Sequence, residues 1–270
     1  MKTLRFASVG DNCIDRFRPP VSQSFVGGNA VNVAVQLARL GHESFYFGAV
    51  GRDADGSRTR RLLAENGVRL DHLQERDGVT AYTDIEVLSS GERVIAFEDF
   101  GVCAGYAPDQ ADIDVLKTMD HVHIGWMDDG GALRRALAAA GISLSQDISV
   151  NADPENLGIE GLMIAFGSAG DDDQVGEEML QRLFAQDAGI AVVTRGSKGS
   201  AALSGAARAS TGIRAVDVVD TTGAGDSFIA GFLSAHVSGA PLLQCLEAGR
   251  DHAARTCTHV GGFPQEPLPL

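Results

Sequence analysis

Apolar residues along this chain gather in short runs, and between the runs they recur at three- and four-residue spacing. Short apolar runs bounded by Gly, Pro, Asn or Asp read as buried strands, and the wider spacing reads as helices with one apolar face. Residues 4–9 form the first run and end at Gly10-Asp11. Residues 45–50 form a second, and residues 121–125, 146–150, 162–166 and 190–194 form four more. Val31, Ala34, Val35 and Ala38 share one helical face, with Asn29 placed as the N-cap and Gly41 as the stop. Residues 132–140 and 177–186 read as further helices between the later strands. This alternation predicts an α/β fold.

Two stretches break the rhythm. Between residues 79 and 100 the composition turns strand-like twice, at 81–88 and 93–98, on either side of Ser89-Ser90-Gly91-Glu92. That pattern predicts a β-hairpin inserted between α/β units. Such an insertion is the place for a lid over a site, and equally for an exposed ribbon that pairs two copies. The Pro-rich end, residues 264–270, reads as a loose tail.

Chemistry concentrates in Asp220-Thr221-Thr222-Gly223-Ala224-Gly225-Asp226-Ser227-Phe228. An alternating apolar run, residues 213–219, precedes it as a predicted strand, and residues 228–233 follow as the apolar body of a helix. A glycine-rich turn opening a helix is an anion site, because the unpaired N–H groups of the first turn point at the bound charge. The carboxylate of Asp226 lies in the same turn, where it serves either as a helix cap or as a general base. A cradle and a base in one turn are what transfer of a phosphoryl group to a hydroxyl requires. Upstream, Asp11 and Asp15 follow the first strand at its carboxyl end, where open α/β sheets bind their ligands.

Residues 220–228 match D-T-x-G-A-G-D-x-F, and Gly27-Gly28-Asn29-Ala30-Val31-Asn32-Val33-Ala34 matches G-G-x-x-x-N-x-A. In these two motifs, and across most of the chain between them, the protein resembles the ribokinase-like (PfkB) carbohydrate kinases. The resemblance implies one ribokinase-like domain over residues 1–270, a three-layer αβα sandwich. A small, discontinuous β-sheet lid would come from about residues 15–26 and 79–100. It implies a surface helix at residues 57–66, closed by Gly67. Asp226 would be the base, with the N–H groups of Gly223, Ala224 and Gly225 around the transferring phosphoryl group. Gly27, Gly28, Asn29 and Asn32 would hold sugar hydroxyls, together with Asp11, Asp15 and Thr80. Thr194-Arg195-Gly196-Ser197-Lys198-Gly199 resembles the T-x-G-x-x-G nucleotide loop, so Thr194, Gly196, Ser197, Lys198 and Gly199 would meet ATP alongside Gly223 and Gly225. Residues 253–262 resemble the last helix and turn, which lies against adenine and, with Asp220 and Thr222, encloses a monovalent cation such as K⁺. Mg²⁺ would arrive with ATP. The N-x-x-E motif that orders it in many relatives is absent; Ser168-Ala169-Gly170-Asp171-Asp172-Asp173 stands there. That acidic run reads equally as a solvated helix start, and no protein ligand is assigned to the metal. Lids of this family often pair across a homodimer.

Within the family, residues 10–15, 27–34, 78–81 and 224–233 resemble the bacterial branch that phosphorylates the 6-hydroxyl of fructosamines (Amadori products) such as fructoselysine. Fructokinase, ribokinase and 2-keto-3-deoxygluconate kinase are alternatives. The hairpin acids Asp84, Glu86, Glu98 and Asp99 would suit an amine-bearing ligand and suit the anionic substrate of the last poorly, but they read equally as a solvated surface, so charge alone does not decide.

Composition narrows the remaining classes. With 36 acidic and 22 basic side chains the net charge is −14, which argues against nucleic acid and against an anionic membrane surface. No apolar run reaches the length of a membrane span, and the first run is too short for a secretory signal, so the expected location is cytoplasmic. Cys13, Cys103, Cys245 and Cys257 lack C-x-x-C spacing and read as reduced, structural thiols. His121 and His123 lie on one strand without a ligand cluster for zinc, and Trp126 follows that strand as either a pocket wall or a packing residue. A dinucleotide-binding dehydrogenase would need G-x-G-x-x-G after the first strand, which is missing. A non-catalytic nucleotide-binding regulator would be expected to lose the base, and Asp226 is present.

Overall fold

Adjacent residues of a strand point to opposite faces of its sheet, and in this protein both faces of the main sheet are apolar. The computed structural model describes residues 3–88, 93–151 and 153–270; the expected turn at residues 89–92 lies outside the described residues. The first half of the chain runs β1 (Arg5–Val9), β2 (Cys13–Phe17), β3 (Gln23–Gly27), α1 (Asn29–Arg39), β4 (Glu43–Gly51), α2 (Ala54–Glu65), β5 (Leu73–Arg76), β6 (Tyr82–Val87), β7 (Arg93–Asp99) and α3 (Gln110–Leu116). It continues as β8 (His121–Ile124), α4 (Ala132–Ala139), β9 (Leu144–Asp147), β10 (Ile164–Ser168), α5 (Asp173–Ala185) and β11 (Ile190–Thr194). The last elements are β12 (Ser200–Ser204), β13 (Ala207–Thr211), α6 (Ala224–Val237), α7 (Leu242–Thr256) and β14 (Leu268–Pro269).

Nine strands form the large sheet in the order β13-β12-β11-β10-β9-β8-β1-β4-β5, parallel from β11 through β5. Ala165, Ala191 and Val193 point to the face covered by α3, α4 and α5, where they meet Leu116, Leu137 and Leu180. Ile164, Phe166, Ile190 and Val192 point the other way, against Val33 and Leu37 of α1, Phe228 and Phe232 of α6, and Leu246 of α7. The result is helix, sheet, helix, as expected. The strand order reverses at β1, which has β4 on one side and β8 on the other. The crevice at the carboxyl ends of β1 and β8 is where such a sheet opens to a ligand.

A second sheet of five strands, β14-β3-β2-β6-β7, stands beside that crevice. Two expected segments, around residues 15–26 and 79–100, supply four of its strands. The fifth corrects the sequence reading. Residues 264–270 are not a loose tail: Leu268 pairs with Ser24, and Pro269 with Gln23. Gln265 explains the docking, because its amide accepts from the Val26 N–H and donates to the Val26 carbonyl, each at 2.8 Å. Arg58 adds a guanidinium that donates to the Ser24 hydroxyl at 2.9 Å and to the Glu266 carbonyl at 3.4 Å.

Other departures have local causes. Residues 213–219 make no strand; Ile213, Val218 and Val219 are exposed. An alternating run becomes a strand only if its backbone pairs with another strand, and here the Val219 N–H goes instead to the Cys257 carbonyl just after α7, at 2.8 Å. α2 starts three residues earlier than expected because the Asp53 carboxylate caps it, accepting from the Gly56 N–H at 2.7 Å. α5 starts early for the same reason, with Asp172 accepting from the N–H groups of Gln174 and Val175. Asn29 is the first helical residue of α1 and not its cap; the Asp11 carboxylate accepts from the N–H groups of Asn29 and Ala30.

Gln265→Ala removes both bonds to Val26. A net loss of about 1–2 kcal/mol is expected, felt mainly by the small sheet. Hydrogen exchange should quicken at residues 23–27 and stay unchanged in β8, β9 and β10; equal acceleration in both sheets would show that the tail does not hold the small sheet in particular.

Candidate active site

α1 aligns three amides. Asn29, Asn32 and Gln36 are spaced by three and four residues, so they lie along one side of the helix. That side meets the start of α6 and the turn at residues 261–262. Asn32 Nδ2 donates to Asp226 Oδ2 at 2.7 Å, and Asn29 Nδ2 donates to Asp226 Oδ1 at 2.6 Å. Asn29 Nδ2 also reaches Asp147 Oδ2 at the end of β9, 3.0 Å away. Gln36 Nε2 donates to the Gly262 carbonyl at 2.7 Å. The two turns touch because Gly223 has no side chain: its φ is +71°, and a Cβ there would fall 2.4 Å from Gly262 Cα.

Burial dominates the acidity of this group. Desolvation raises Asp226 to about 8; the neighbouring charges of Asp147 and Asp11 add to it, while the bonds from Asn32 and Asn29 oppose it. Asp15, on β2, is raised to about 7, again chiefly by desolvation. Asp147 and Asp11 are also raised by burial. A cleft of about 160 Å³ joins Asp226 and Gly225 to Asp147, Ser149, Phe166 and Thr194. The base, the cradle and the start of the expected nucleotide loop therefore line one space. Within the cradle, the Ala224 N–H turns back to the Thr221 carbonyl at 3.1 Å, so it is not free as expected. By position in the first helical turn, the N–H groups of Gly225 and Asp226 have no intrahelical partner.

The other expected contacts divide. Gly27 faces the site: a Cβ there would lie 2.7 Å from Asp15 Oδ2 and 3.9 Å from Asn32 Nδ2, so glycine keeps the space between them open. Gly28 precedes α1 at its N-cap. Asp11 is committed to the backbone, accepting from Asn29, Ala30 and Trp126 N–H groups, and thus positions α1. Thr80 is buried; its hydroxyl donates to Asp53 at 2.6 Å and accepts from the Gly51 N–H at 3.0 Å. It ties the small sheet's entry to α2. Trp126 stacks on Phe100, with centroids 3.9 Å apart.

In the loop after β11, Ser197 donates through its N–H and its hydroxyl to Asp171, at 2.7 and 2.8 Å. Lys198 Nζ donates to Asp173 at 2.8 Å. The acidic run thus anchors Gly196-Ser197-Lys198 and offsets the charge of Lys198. Asp220 and Thr222, expected to hold a monovalent cation, meet a guanidinium: Arg93 of β7 donates to Asp220 Oδ1, and to the Thr222 hydroxyl at 2.6 Å. Asp220 accepts as well from the N–H groups of Thr222 and Gly261, at 2.7 and 2.9 Å. Burial alone would disfavour its charge, but those bonds outweigh it and hold its carboxyl below the ordinary range. With Arg93 in place, these residues do not fit a free ion.

His121 and His123 face the same side, joined through Ser145: His123 Nδ1 and His121 Nε2 lie 2.9 and 2.8 Å from its hydroxyl. Burial lowers both histidines, so both are neutral. Among the described residues, no group of three His, Cys, Asp or Glu could hold a metal ion. The sequence reading missed Asp147, Arg93 and the anchoring role of Asp171 and Asp173. Asp147 could have been found from its place at a strand's carboxyl end; Arg93 carried no sequence signal.

The chain matches the pfkB family carbohydrate kinases over residues 17–155 and 158–268. It belongs to that family. Its relatives in the pfkB family include the fructoselysine 6-kinase of Escherichia coli, 37% identical over 97% of this chain and all of that protein. The fructosamine kinase FrlD of Bacillus subtilis is 29% identical over 96% of this chain and 93% of its own. The structure of Arabidopsis thaliana ribokinase with ribose and ATP superposes with a TM-score of 0.84 at 22% identity, covering 96% and 94% of the two chains. As a pfkB kinase the protein is an ATP-dependent sugar kinase. No described helix is long and apolar enough to cross a membrane.

Two outcomes are expected at Asp226. As the expected base, Asp226 would accept the proton in its ionised form, so kcat/KM should fall as pH drops through about 8. Asn32→Leu removes a bond that favours the charge and should move that limb to higher pH; an unmoved limb would assign it to another group. For stability the sign is opposite. The folded value lies above the ordinary 3.8, so the native protein keeps a proton that the unfolded chain has lost, and stability falls as pH rises through this window. Asp226→Asn should therefore lose on the order of 10²–10⁴-fold in kcat while raising Tm at pH 8 and leaving it nearly unchanged near pH 4.

Proposed function

We propose that the protein phosphorylates the 6-hydroxyl of a fructosamine such as fructoselysine, with MgATP as donor. The observation that carries the mechanism is Asp226, half-buried in the first turn of α6 and held by two amides of α1. The acceptor hydroxyl sits beside this carboxylate, and Asp226 takes its proton as the oxygen attacks the γ-phosphorus. The N–H groups of Gly225 and Asp226, with the positive end of α6, face the charge on the transferring group. Thr194 lines the same cleft, and the glycine-rich loop it opens, to Gly199, suits the nucleotide phosphates. Mg²⁺ would arrive with ATP and would supply charge neutralisation at the phosphates while keeping most of its waters; Asp147, which lines the cleft with Asp226, is a carboxylate that would hold it through those waters. The small sheet serves as the lid that excludes water. ATP supply and four free thiols agree with a cytoplasmic enzyme.

The substrate reading rests on the full-length similarity to a fructoselysine 6-kinase and to a fructosamine kinase. Charge in the site agrees with it. Of the hairpin acids, Asp84 pairs with Arg18, and Asp99 accepts from the Gly101 N–H. Glu86 is exposed to solvent; Glu98 of the hairpin and Asp15 of β2 stand together, and among the described residues neither forms an ion pair with a protein cation. Both stand beside Thr83, whose hydroxyl donates to Glu98 at 3.4 Å. A ligand amine supplies the charge they lack, and a sugar without it leaves them unpaired.

A homodimer through the lid is a further part of this reading. β7 is the edge strand of the small sheet, and Val94, Ile95 and Phe97 are exposed along it. A second copy pairing there would cover both the edge and the apolar side chains.

The substrate test is kcat/KM for fructoselysine, other fructose–amino-acid conjugates, fructose, ribose and 2-keto-3-deoxygluconate, followed by coupled ADP release. A conjugate should lead; fructose or ribose within about threefold, roughly 0.7 kcal/mol, would defeat the fructosamine assignment and leave the sugar kinase. Phe97→Asp should convert a dimer to a monomer in sedimentation; a wild-type monomer would remove the lid interface.

A further inference from the structure

Asp220 is wholly buried and charged, and it belongs to the turn that builds the cradle. Its carboxylate draws three separate segments together. The Thr222 N–H comes from the catalytic turn itself, and the Gly261 N–H from the turn after α7. The third donor, Arg93, comes from the small sheet, 127 residues earlier in the chain. Only Arg93 brings a formal positive charge. The same guanidinium reaches the Thr222 hydroxyl at 2.6 Å, and its Cζ stands 5.2 Å from the Phe17 ring centre, which in turn packs edge-on against Phe25. An aromatic shelf on β2 and β3 therefore aims the arginine at the turn. Among the described residues, Asp220 is in contact with Arg93 and Asp15 of β2 acts on it at longer range.

We propose that Arg93 is a built-in cation, a positioning residue that neutralises Asp220 and orders the 220–225 turn when the small sheet lies over the cleft. It takes the place a free monovalent ion would need, since it holds the same carboxylate and hydroxyl. Closure over the sugar and assembly of the anion cradle then become one event. With the sheet raised, Asp220 keeps two backbone bonds but loses its countercharge, and the N–H groups of Gly225 and Asp226 lose their fixed aim. Such an arrangement protects ATP from water when no sugar has brought the sheet down. The effect on kcat should be smaller than the 10²–10³-fold seen when a cradle donor itself is removed, roughly tenfold.

The inference rests on the kinase reading, so it is tested with a readout that does not depend on the sugar as well as with turnover. Wild-type rates should be equal in K⁺ and in tetramethylammonium at constant ionic strength. Arg93→Gln should lower kcat about tenfold with a smaller change in the KM for ATP, and millimolar guanidinium or K⁺ should restore most of the loss. Arg93→Lys should keep most of the activity without added ion. In parallel, hydrogen exchange at residues 221–225 should quicken in Arg93→Gln and slow again on adding guanidinium, while residues 190–194 stay unchanged. A wild type that requires K⁺ overturns the proposal, as does an Arg93→Gln variant whose turn exchange and kcat match wild type or respond to neither ion. If wild type phosphorylates no conjugate yet the exchange result holds, the substrate reading fails and the role of Arg93 stands.

Discussion

A carboxylate kept largely from water and held between two amides sets the terms for the rest of this molecule. Left alone, Asp226 would be neutral at physiological pH, because desolvation outweighs everything else acting on it. Asn29 and Asn32 recover part of the charged form, and they can do so only because α1 presents residues 29 and 32 on the side facing α6. The position of α1 depends in turn on Asp11, which binds the first N–H groups of the helix and the Trp126 N–H after β8. One acid thus holds the helix that tunes another. The strand order of the large sheet brings these pieces together, since β1 and β8 are neighbours at the point where it reverses.

Charge is sorted within the site. The acids Asp11, Asp15, Asp147 and Asp226 cluster where sugar and phosphate would react, and burial raises all four. Asp220, a short distance along the chain from Asp226, is held in the opposite state by N–H donors and a guanidinium. In the loop after β11, positive charge is balanced locally, with Lys198 and Arg195 both on Asp173. Lys198 and Arg195 are thus both neutralised by the same carboxylate, and the N–H groups of Gly225 and Asp226 at the start of α6 carry no such partner.

The layer order, and most of its strands and helices, was legible because each buried strand is a continuous apolar run between helices with one apolar face. The turn that carries Asp226 at the start of α6 was legible because glycine spacing and a carboxylate occur in one contiguous stretch before an apolar helix. What escaped reading depends on contacts distant in sequence. Asn29 and Asn32 were named as contacts for sugar hydroxyls, but their bonds to Asp226, and that of Gln36 to Gly262, could not be foreseen because these partners lie about two hundred residues away. Asp53 and Asp172 shifted two helix starts because a capping carboxylate competes with the apolar pattern that marks a helix body. Residues 213–219 alternate like a strand, but alternation cannot reveal whether an edge is free. Residues 264–270 show composition without pattern; only Gln265 on Val26 makes them part of a sheet.

That last pairing bears on how the molecule is made. Ser24 and the Leu268 carbonyl are joined across 244 residues, whereas the strands of the large sheet mostly pair with near neighbours in the chain. Closing so long a loop is entropically unfavourable until the intervening chain has already condensed. The large sheet should therefore form first, and the small sheet should be completed late, by its outermost strand. Elements completed late are commonly those of lowest local stability, so the small sheet should exchange its amide protons sooner than the large one.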